Sequence, residues 1–254
     1  MTDAQRLSQS ALLPIIYQDS ALIAINKPAG LLVHRSMVDK HETQFAVQML
    51  RDQICQHVYP VHRLDRGTSG VLLFALNREV ASLLGKQFEA QTVEKTYLAI
   101  VRGHPPERGT IDYPLSRQPD AAEYLPSGMQ RELAPQPAVT HYQRLATVTL
   151  PVMVERYPTS RYALMRLHPE TGRRHQLRRH MKHIAHPIIG DATHGKGIHN
   201  RYFKQTYDCG RLLLACVKIA FIHPLTAQPC QVRAPLSNDF ASLLPKLGWQ
   251  AIDY

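Results

Sequence analysis

The sequence of 254 residues predicts a mixed α+β fold, in which a mainly antiparallel sheet is flanked by helices. Short β-rich stretches follow one another without the regular strand and helix alternation that marks a parallel sheet. Two stretches, 43–57 and 78–91, repeat apolar residues at helical spacing. Residues 105–137 are rich in proline, glycine and charge, so they are expected to form mostly loop between two β-rich halves.

The first half is predicted to contain four strands and two amphipathic helices. The strands are expected at residues 15–17, 22–26, 71–76 and 95–101. The second strand ends at Lys27-Pro28, because proline has no amide hydrogen to donate to a sheet. The first helix, over 43–57, precedes a polar loop. Asn77 is a suitable N-cap for the second helix, which is expected to end near Gln91.

The second half is predicted to contain the other strands, a basic helix and a short terminal helix. Strands are expected at 110–115, 138–148, 161–167 and 212–217, with a last hairpin of 218–222 and 230–233. Tyr157-Pro158-Thr159 favours an exposed hairpin tip within 151–160. The basic helix is expected at 172–184 and the terminal helix at 238–247, with a polar loop leading to the strand at 212.

Composition and charge indicate a globular protein that binds a polyanion. The chain is 44% hydrophobic and 20% charged, which is ordinary for a folded domain and excludes a disordered chain. Lys and Arg number 30 against 20 Asp and Glu, which gives a net charge of +10 and favours nucleic acid as a partner. Ten Lys or Arg lie between Arg161 and Lys204 against two acids, Glu170 and Asp191, which predicts one basic face.

The sequence further predicts a soluble, cytoplasmic protein without a membrane segment. Its four cysteines, at positions 55, 209, 216 and 230, match neither a zinc site nor a CxxC pair and fit a reducing compartment. No apolar run approaches the roughly 20 residues of a membrane span, and Met1–Ser10 has no apolar signal core. Residues 1–14 are expected to be a short extension before a single domain of residues 15–254, and a monomer is expected.

A carboxylate between two arginines is the most informative feature of the chain. Asp65 lies between Arg63 and Arg66 and is followed by the small residues 67–70. An opposite charge within about 4 to 6 Å favours the ionised form of a carboxylate, as a nucleophile or a base at neutral pH requires. A structural ion pair that caps a strand has the same pattern, so the spacing alone leaves both interpretations open.

The basic helix carries five Lys or Arg between residues 173 and 184 and no acid. Leu177, Met181 and Ile184 are spaced four and three apart, so they are expected to anchor one stripe to the core. A helix of one charge sign repels itself, and contact with phosphates would offset that cost. A solvated cationic face is the alternative.

Two smaller features of this helix bear on chemistry. Arg178 lies about 100° from the apolar stripe, where its guanidinium could hold a carboxylate through two parallel hydrogen bonds. His180, His183 and His186 follow at spacings of three, but no cysteine or carboxylate cluster accompanies them. No metal site is therefore predicted.

Three groups of motifs occur in one order along the chain. They are HRLD with TSG within 62–70, KTYLA with Val101 and Gly103, and TGRRHQLR with HPIIGD within 171–191. Together they resemble the motifs of the RluA-type pseudouridine synthases, and the similarity runs from about Ile15 to Pro235. The resemblance implies the pseudouridine synthase fold, with a catalytic cleft across the sheet. Segments 32–36, 135–142 and 156–159 are most similar to the branch that isomerises uridine 65 of tRNA.

The resemblance also implies roles for individual residues. Asp65 matches the catalytic aspartate of the family, and Arg178 matches the arginine that pairs with it. Tyr97 matches the tyrosine that stacks on the target base, and it is a weaker candidate to take the C5 proton. Arg63 matches a residue that fills the gap left by a flipped base. The expected phosphate contacts are Arg173, Arg174, Arg179 and Lys182.

The chain departs from the family pattern at Leu214-Ala215-Cys216, where relatives often read Leu-His-Ala, so no role is carried to Ala215 or Cys216. Family members often have an additional N-terminal RNA-binding domain, for which residues 1–14 are too few. RNA affinity is therefore expected from the basic face of the catalytic domain.

The function implied is isomerisation of a base-paired uridine in structured RNA, uridine 65 of tRNA, after the nucleotide is flipped out of its stem. The enzyme needs no cofactor, because the reaction involves no redox change. Asp65 is expected to act on C1′ as a nucleophile or on the ribose as a base. The alternatives are a synthase of the same family for rRNA or another tRNA position, a non-catalytic RNA-binding protein, and a metal-dependent nuclease.

Overall fold

The computed structural model describes residues 12–34, 43–116 and 134–249, and its ten described strands form one sheet. The strands are β1 (Ile15–Gln18), β2 (Leu22–Lys27), β3 (Tyr59–Pro60), β4 (Ser69–Ala75), β5 (Glu94–Arg102), β6 (Arg108–Asp112), β7 (Val139–Leu150), β8 (Ser160–Pro169), β9 (Leu214–Ile222) and β10 (Pro229–Arg233). The order is β1-β2-β4-β9-β5-β8-β7-β6, with β3 on β4 and β10 on β9. Among these strands β4 and β9 pair in parallel and the other pairs are antiparallel, which confirms the predicted class.

Helices cover both faces of this sheet. They are α1 (Ala46–Ile54), α2 (Arg78–Glu89), α3 (Gln176–His183), α4 (Gly197–Tyr207), α5 (Asn238–Ala241) and α6 (Leu243–Lys246). Side chains of β5 alternate between two cores: Tyr97 and Ala99 pack on the side of α1 to α3, whereas Leu98 and Ile100 pack on the side of α4 to α6. The sheet is therefore the middle layer of three, and the face of Tyr97 is the face of the basic helix α3.

Strands β4 and β9 meet over a short seam. Ser69 pairs with Ala215 and Gly70 with Cys216, after which β9 continues beside β10. Gly70 has a φ of +105°, and a Cβ at this position would collide with the Cys216 carbonyl. Only glycine permits this approach of the two strands, so the loop of Asp65 enters the sheet directly at the seam.

Several predicted elements are confirmed with adjusted ends. Asn77 does cap α2, since its Oδ1 accepts a hydrogen bond from the Val80 amide at 2.9 Å. The first helix is shorter than 43–57 because Cys55 adopts a left-handed conformation, with φ 52°, and ends it. The tip at 151–160 is largely exposed, as expected.

Other elements differ from the prediction. The basic helix begins at Gln176 rather than residue 172, because His175 has a left-handed φ of 54°. The expected polar loop before residue 212 contains α4, and the two strands expected at 212–217 and 218–222 are one continuous strand, β9. The terminal helix is divided into α5 and α6. Within the described ranges, every helix is too short or too polar to cross a membrane.

Candidate active site

Asp65 lies in the loop between β3 and β4, just before the seam. Its backbone carbonyl accepts a hydrogen bond from the Thr68 amide at 3.0 Å, which closes a turn, and the preceding Leu64 is buried. The side chain of Asp65 is 23% exposed. The carboxylate is thus held by a buried neighbour yet remains accessible to a substrate.

Arg178 joins two carboxylates. Its Nη1 donates to Asp65 Oδ2 at 3.1 Å, while Nε and Nη2 donate to the two oxygens of Asp191 at 2.7 and 2.8 Å. The expected contact with Asp65 is present, and the expected pair of parallel bonds to a carboxylate is also present, with Asp191 as the partner. Burial alone would lower the pKa of Arg178, but the hydrogen bonds and charges of Asp191 and Asp65 raise it above its ordinary value.

Asp191 also belongs to this site, although no role was predicted for it from the sequence. Its side chain is fully buried, and its Oδ1 also accepts the amides of Thr193 and His194, both at 2.9 Å. Burial would raise the pKa of Asp191, but the bonds from Arg178 and from these amides lower it below its ordinary value. A role for Asp191 could have been predicted from its position, because it is one of two acids between residues 161 and 204 and ends the motif HPIIGD.

Two histidines lie in sequence of contact from the Asp65 carboxylate: His175 is next to it, and His194 is next to His175. His175 Nε2 is 4.0 Å from Asp65 Oδ2, and His175 Nδ1 is 3.1 Å from His194 Nε2. Burial is the main cause that lowers the pKa of His175, to about 4, and it also lowers the pKa of His194. Both rings are therefore neutral at pH 7, whereas Arg178 places a positive charge 3.1 Å from Asp65 Oδ2.

A buried lysine supports the loop from beneath. The Lys27 ammonium donates to the carbonyl oxygens of Pro28, Leu31 and Arg66, at 2.9, 2.8 and 3.2 Å. Burial lowers the pKa of Lys27 to about 7; the charge of Arg211 adds to this effect and that of Asp65 opposes it. The sequence predicted only the end of a strand here, whereas the side chain ties β2 to the residue after Asp65.

Tyr97 lies on β5, and its ring is almost buried, with 9% exposure. Burial, followed by the neighbouring Cys216 and the charge of Asp65, raises the pKa of Tyr97 well above its ordinary value. Burial likewise raises the pKa of the Cys216 thiol, to about 12. Cys216, where the chain departs from the family pattern, is therefore in contact with Tyr97, the predicted base-stacking residue.

The predicted phosphate contacts lie on or near α3. Arg174 and Lys182 are exposed, as is Arg63, which was predicted to fill the gap left by the flipped base. Arg173 donates from Nε to the Pro137 carbonyl at 3.1 Å, and Arg179 donates to Ser116 O and Oγ at 3.0 and 2.9 Å. Arg173 and Arg174 belong to the turn before α3 and not to the helix itself, which corrects their placement.

The histidines of α3 do not form a metal site. His180 forms hydrogen bonds from both ring nitrogens, Nδ1 with Thr140 Oγ1 and Nε2 with the Tyr113 carbonyl oxygen. His186 Nδ1 forms a hydrogen bond with the Arg102 carbonyl oxygen. Across the part of the chain that the structure describes, no three His, Cys, Asp or Glu side chains are grouped to hold a metal ion.

Comparison with known proteins shows similarity over nearly the whole chain. The family model for RNA pseudouridylate synthase matches residues 21–183, which include Asp65, Tyr97 and Arg178. The chain is 51% identical over 239 residues to tRNA pseudouridine synthase C of Vibrio cholerae, covering 94% of this chain and 97% of that protein. It is 54% identical over 237 residues to the protein of the same name from Pasteurella multocida, covering 93% and 97%.

Solved structures share the fold. Human RNA pseudouridylate synthase domain containing 4 superposes with a TM-score of 0.69 at 24% identity, covering 94% of this chain and 95% of that chain. Human RNA pseudouridylate synthase domain containing 1 gives a TM-score of 0.66 at 24% identity, covering 95% and 97%. At this identity the likeness concerns the architecture alone.

Proposed function

The chain belongs to the RNA pseudouridylate synthase family, and from that premise we propose that it isomerises a uridine of tRNA, uridine 65, to pseudouridine. The reaction class, an RNA isomerase, follows from the family. The tRNA substrate is supported by the names of relatives at about 50% identity. We propose that it acts as a monomer in the cytoplasm.

One observation carries the catalytic assignment: Arg178, fixed by Asp191, presents Nη1 to Asp65 Oδ2 at 3.1 Å. Arg178 Nη1, at 3.1 Å, and His175 Nε2, at 4.0 Å, both reach Oδ2 of this carboxylate. A carboxylate beside an RNA-binding surface would repel phosphate and weaken RNA binding. A role in the reaction therefore explains the position of Asp65 better than a role in RNA binding.

The isomerisation breaks the N1–C1′ bond of uridine and forms a C5–C1′ bond, and the proton on C5 is released. Asp65 can add to C1′ as the base departs, or it can remove a ribose proton to the same end. Both routes use the carboxylate as an anion, and the Arg178 guanidinium contacts it at 3.1 Å. No atom is gained or lost by the RNA, because N1 takes a proton when C5 loses one.

Tyr97 is proposed to pack against the displaced base. Stacking on an aromatic ring stabilises an unstacked base by about 1 to 3 kcal/mol, which offsets part of the cost of flipping. The raised pKa of Tyr97 keeps its phenol protonated at neutral pH. This argues against the weaker proposal that Tyr97 accepts the C5 proton.

Binding of the RNA is proposed to involve the basic surface around α3. Arg173, Arg174, Arg179 and Lys182 would contact backbone phosphates, which gives affinity without sequence preference. Arg63, exposed two residues before Asp65, would occupy the gap left in the stem by the flipped nucleotide.

The direct test uses tRNA transcripts labelled with tritium at C5 of uridine. A transcript with uridine 65 should release tritium and contain pseudouridine at that position, whereas a transcript with cytidine in its place should not. Product only in rRNA, or only at another tRNA position, would replace the proposed substrate with one of the family alternatives. Strand scission that EDTA abolishes would instead indicate a metal-dependent nuclease.

A further inference from the structure

A second concave site lies beside the catalytic residues. It is a cavity of about 280 Å³, lined by Tyr113, Leu115, Arg179, Lys182, His183 and His194. One wall is the outer side of α3, and the other is the segment that follows β6. Of these six residues, His194 contacts the active site already described, Arg179 and Lys182 are among the proposed phosphate contacts, and Tyr113, Leu115 and His183 have no role so far.

The second wall is firmly attached to the helix. His180 Nε2 lies 3.0 Å from the Tyr113 carbonyl, and Arg179 donates to Ser116 O and Oγ at 3.0 and 2.9 Å. The ring of Tyr113 stacks on that of His183 at 3.8 Å between centroids and 22° between planes. The cavity is thus a preformed shape and not a gap between loosely placed side chains.

The chemistry of the lining favours an anion. Arg179 and Lys182 carry permanent positive charges, and none of the six lining residues is acidic. Lys182 is exposed, so its ammonium can turn toward a ligand. The Tyr113 ring already has one face covered by His183, which leaves the cationic groups as the main recognition elements.

The cavity is connected to the catalytic carboxylate by two short contacts. His194, in its lining, is 3.1 Å from His175, and His175 is 4.0 Å from Asp65. An anion bound in the cavity would therefore lie close to the reacting nucleotide along the same RNA strand.

We propose that this cavity binds one backbone phosphate of the RNA substrate, next to the flipped uridine. The proposal rests on the proposed function and extends it by a specific subsite, for which Tyr113 and His183 are the new residues. The phosphate would fix where the strand lies relative to Asp65, while the exposed arginines before α3 contribute general attraction.

The test is phosphate-ethylation interference on a tRNA transcript, scored by binding alone. For the wild-type protein, ethylation of several phosphates should block binding. With Lys182→Gln, ethylation of one of these phosphates, near uridine 65, should no longer weaken binding. The slope of log affinity against log salt should decrease in magnitude by about 1. The exposed Lys86→Gln, on α2, is the matched control and should keep the wild-type pattern.

A second pair of variants tests the wall. Tyr113→Leu removes the ring stack, so the interference at the same phosphate should disappear. Tyr113→Phe keeps the ring stack and should show the wild-type pattern. An unchanged pattern for Lys182→Gln, or a loss spread evenly over all phosphates, would overturn the subsite. Failure of the proposed function would appear separately, as no pseudouridine at position 65 with the wild-type enzyme, since the interference pattern does not depend on turnover.

Discussion

At the scale of single residues, the site depends on how one guanidinium divides its donors. Two donors of Arg178 form parallel bonds with the fully buried Asp191, and a third reaches Asp65. The long side chain of Arg178 is thereby held in one rotamer, so its contact with the Asp65 carboxylate carries no entropic cost at each turnover. We infer that Asp191 is a positioning residue.

The substitution Asp191→Asn should lower both stability and turnover. Breaking a buried ion pair by removal of one partner costs about 3 to 5 kcal/mol, and Arg178 would lose its fixed orientation. We expect kcat for pseudouridine formation to decrease at least about tenfold, with a small change in RNA affinity. Single-turnover assays, together with urea unfolding, measure both effects.

The matched control is Asp52→Asn, because Asp52 pairs with Arg51 at 2.7 Å and the two side chains are 66% and 45% exposed. Exposed pairs contribute about 0 to 1 kcal/mol, so this variant should resemble the wild type. Equal behaviour of the two variants would show that Asp191 does not position Arg178.

At the scale of elements, helix α4 supports the loop of Asp191. Asn200 accepts the Gly190 amide at 2.8 Å and donates to the Asp191 carbonyl at 2.9 Å. Gly190 has a φ of +79°, and a Cβ there would collide with the Arg211 carbonyl, so the loop fits between α4 and the segment before β9. The helix is thus part of the framework of the site, although it lies on the opposite side of the sheet from α3.

Asn200→Ala should therefore reduce kcat more than RNA affinity. The substitution leaves one amide and one carbonyl of the loop without their partners, which costs about 1 to 3 kcal/mol and loosens Asp191. Gln205→Ala, at an exposed position of the same helix, is the control. If both variants kept wild-type kcat, α4 would have no role in the position of Asp191.

The elements also show where prediction from sequence succeeds. The strands and α2 follow their apolar patterns, and Asn77 caps α2 as expected, because these features depend on neighbours in the chain. Helix α4 was missed because it has no side-chain cap and buries only His199 and Phe203 completely. The start of α3 was misplaced because the left-handed turn at His175 depends on tertiary contacts.

Within the site, too, residues in sequence motifs were predicted, whereas contacts that depend on the tertiary structure were not. The resemblance of the motifs indicated Asp65, Tyr97 and Arg178, and the structure brings all three together. The bond from Arg178 to Asp191 spans a bend of the chain after α3, and Lys27 reaches Arg66 across 39 positions. Such contacts depend on the assembled fold, so the pattern of residues could not indicate them.

At the scale of the whole molecule, many histidines are folded into the protein as neutral groups. Burial is the first cause that lowers the pKa of seven of them: His62, His168, His175, His180, His186, His194 and His199. For His62 the value is about 3, and its Nε2 accepts the Leu73 amide at 3.0 Å, which requires an unprotonated nitrogen. The basic face at pH 7 is therefore made of arginine and lysine.

These histidines predict a loss of stability in mild acid. A pKa lowered in the folded state means that the unfolded chain binds more protons as the pH falls through about 6.5. The stability is thus present above that pH and decreases below it. Urea unfolding at pH 7.5 and 5.5 should give a lower free energy of unfolding at pH 5.5.

His62→Gln should reduce the difference in bound protons between the unfolded and folded states by up to one, so the free energy of unfolding should change less with pH. His57→Gln, at an exposed position, serves as the control. Unfolding free energies that stay constant between the two pH values would show that the buried histidines are not held neutral.

The catalytic role of the Asp65 carboxylate is tested most directly by single-turnover tritium release with Asp65→Asn at saturating enzyme. The amide keeps the size and the hydrogen-bonding capacity of the side chain but cannot act as an anionic nucleophile or base. We expect the rate to fall by at least about 10³-fold while the Kd for tRNA stays near that of the wild type. Pseudouridine formation at a near wild-type rate by this variant, with tRNA still bound, would contradict the assignment of the chemistry to Asp65.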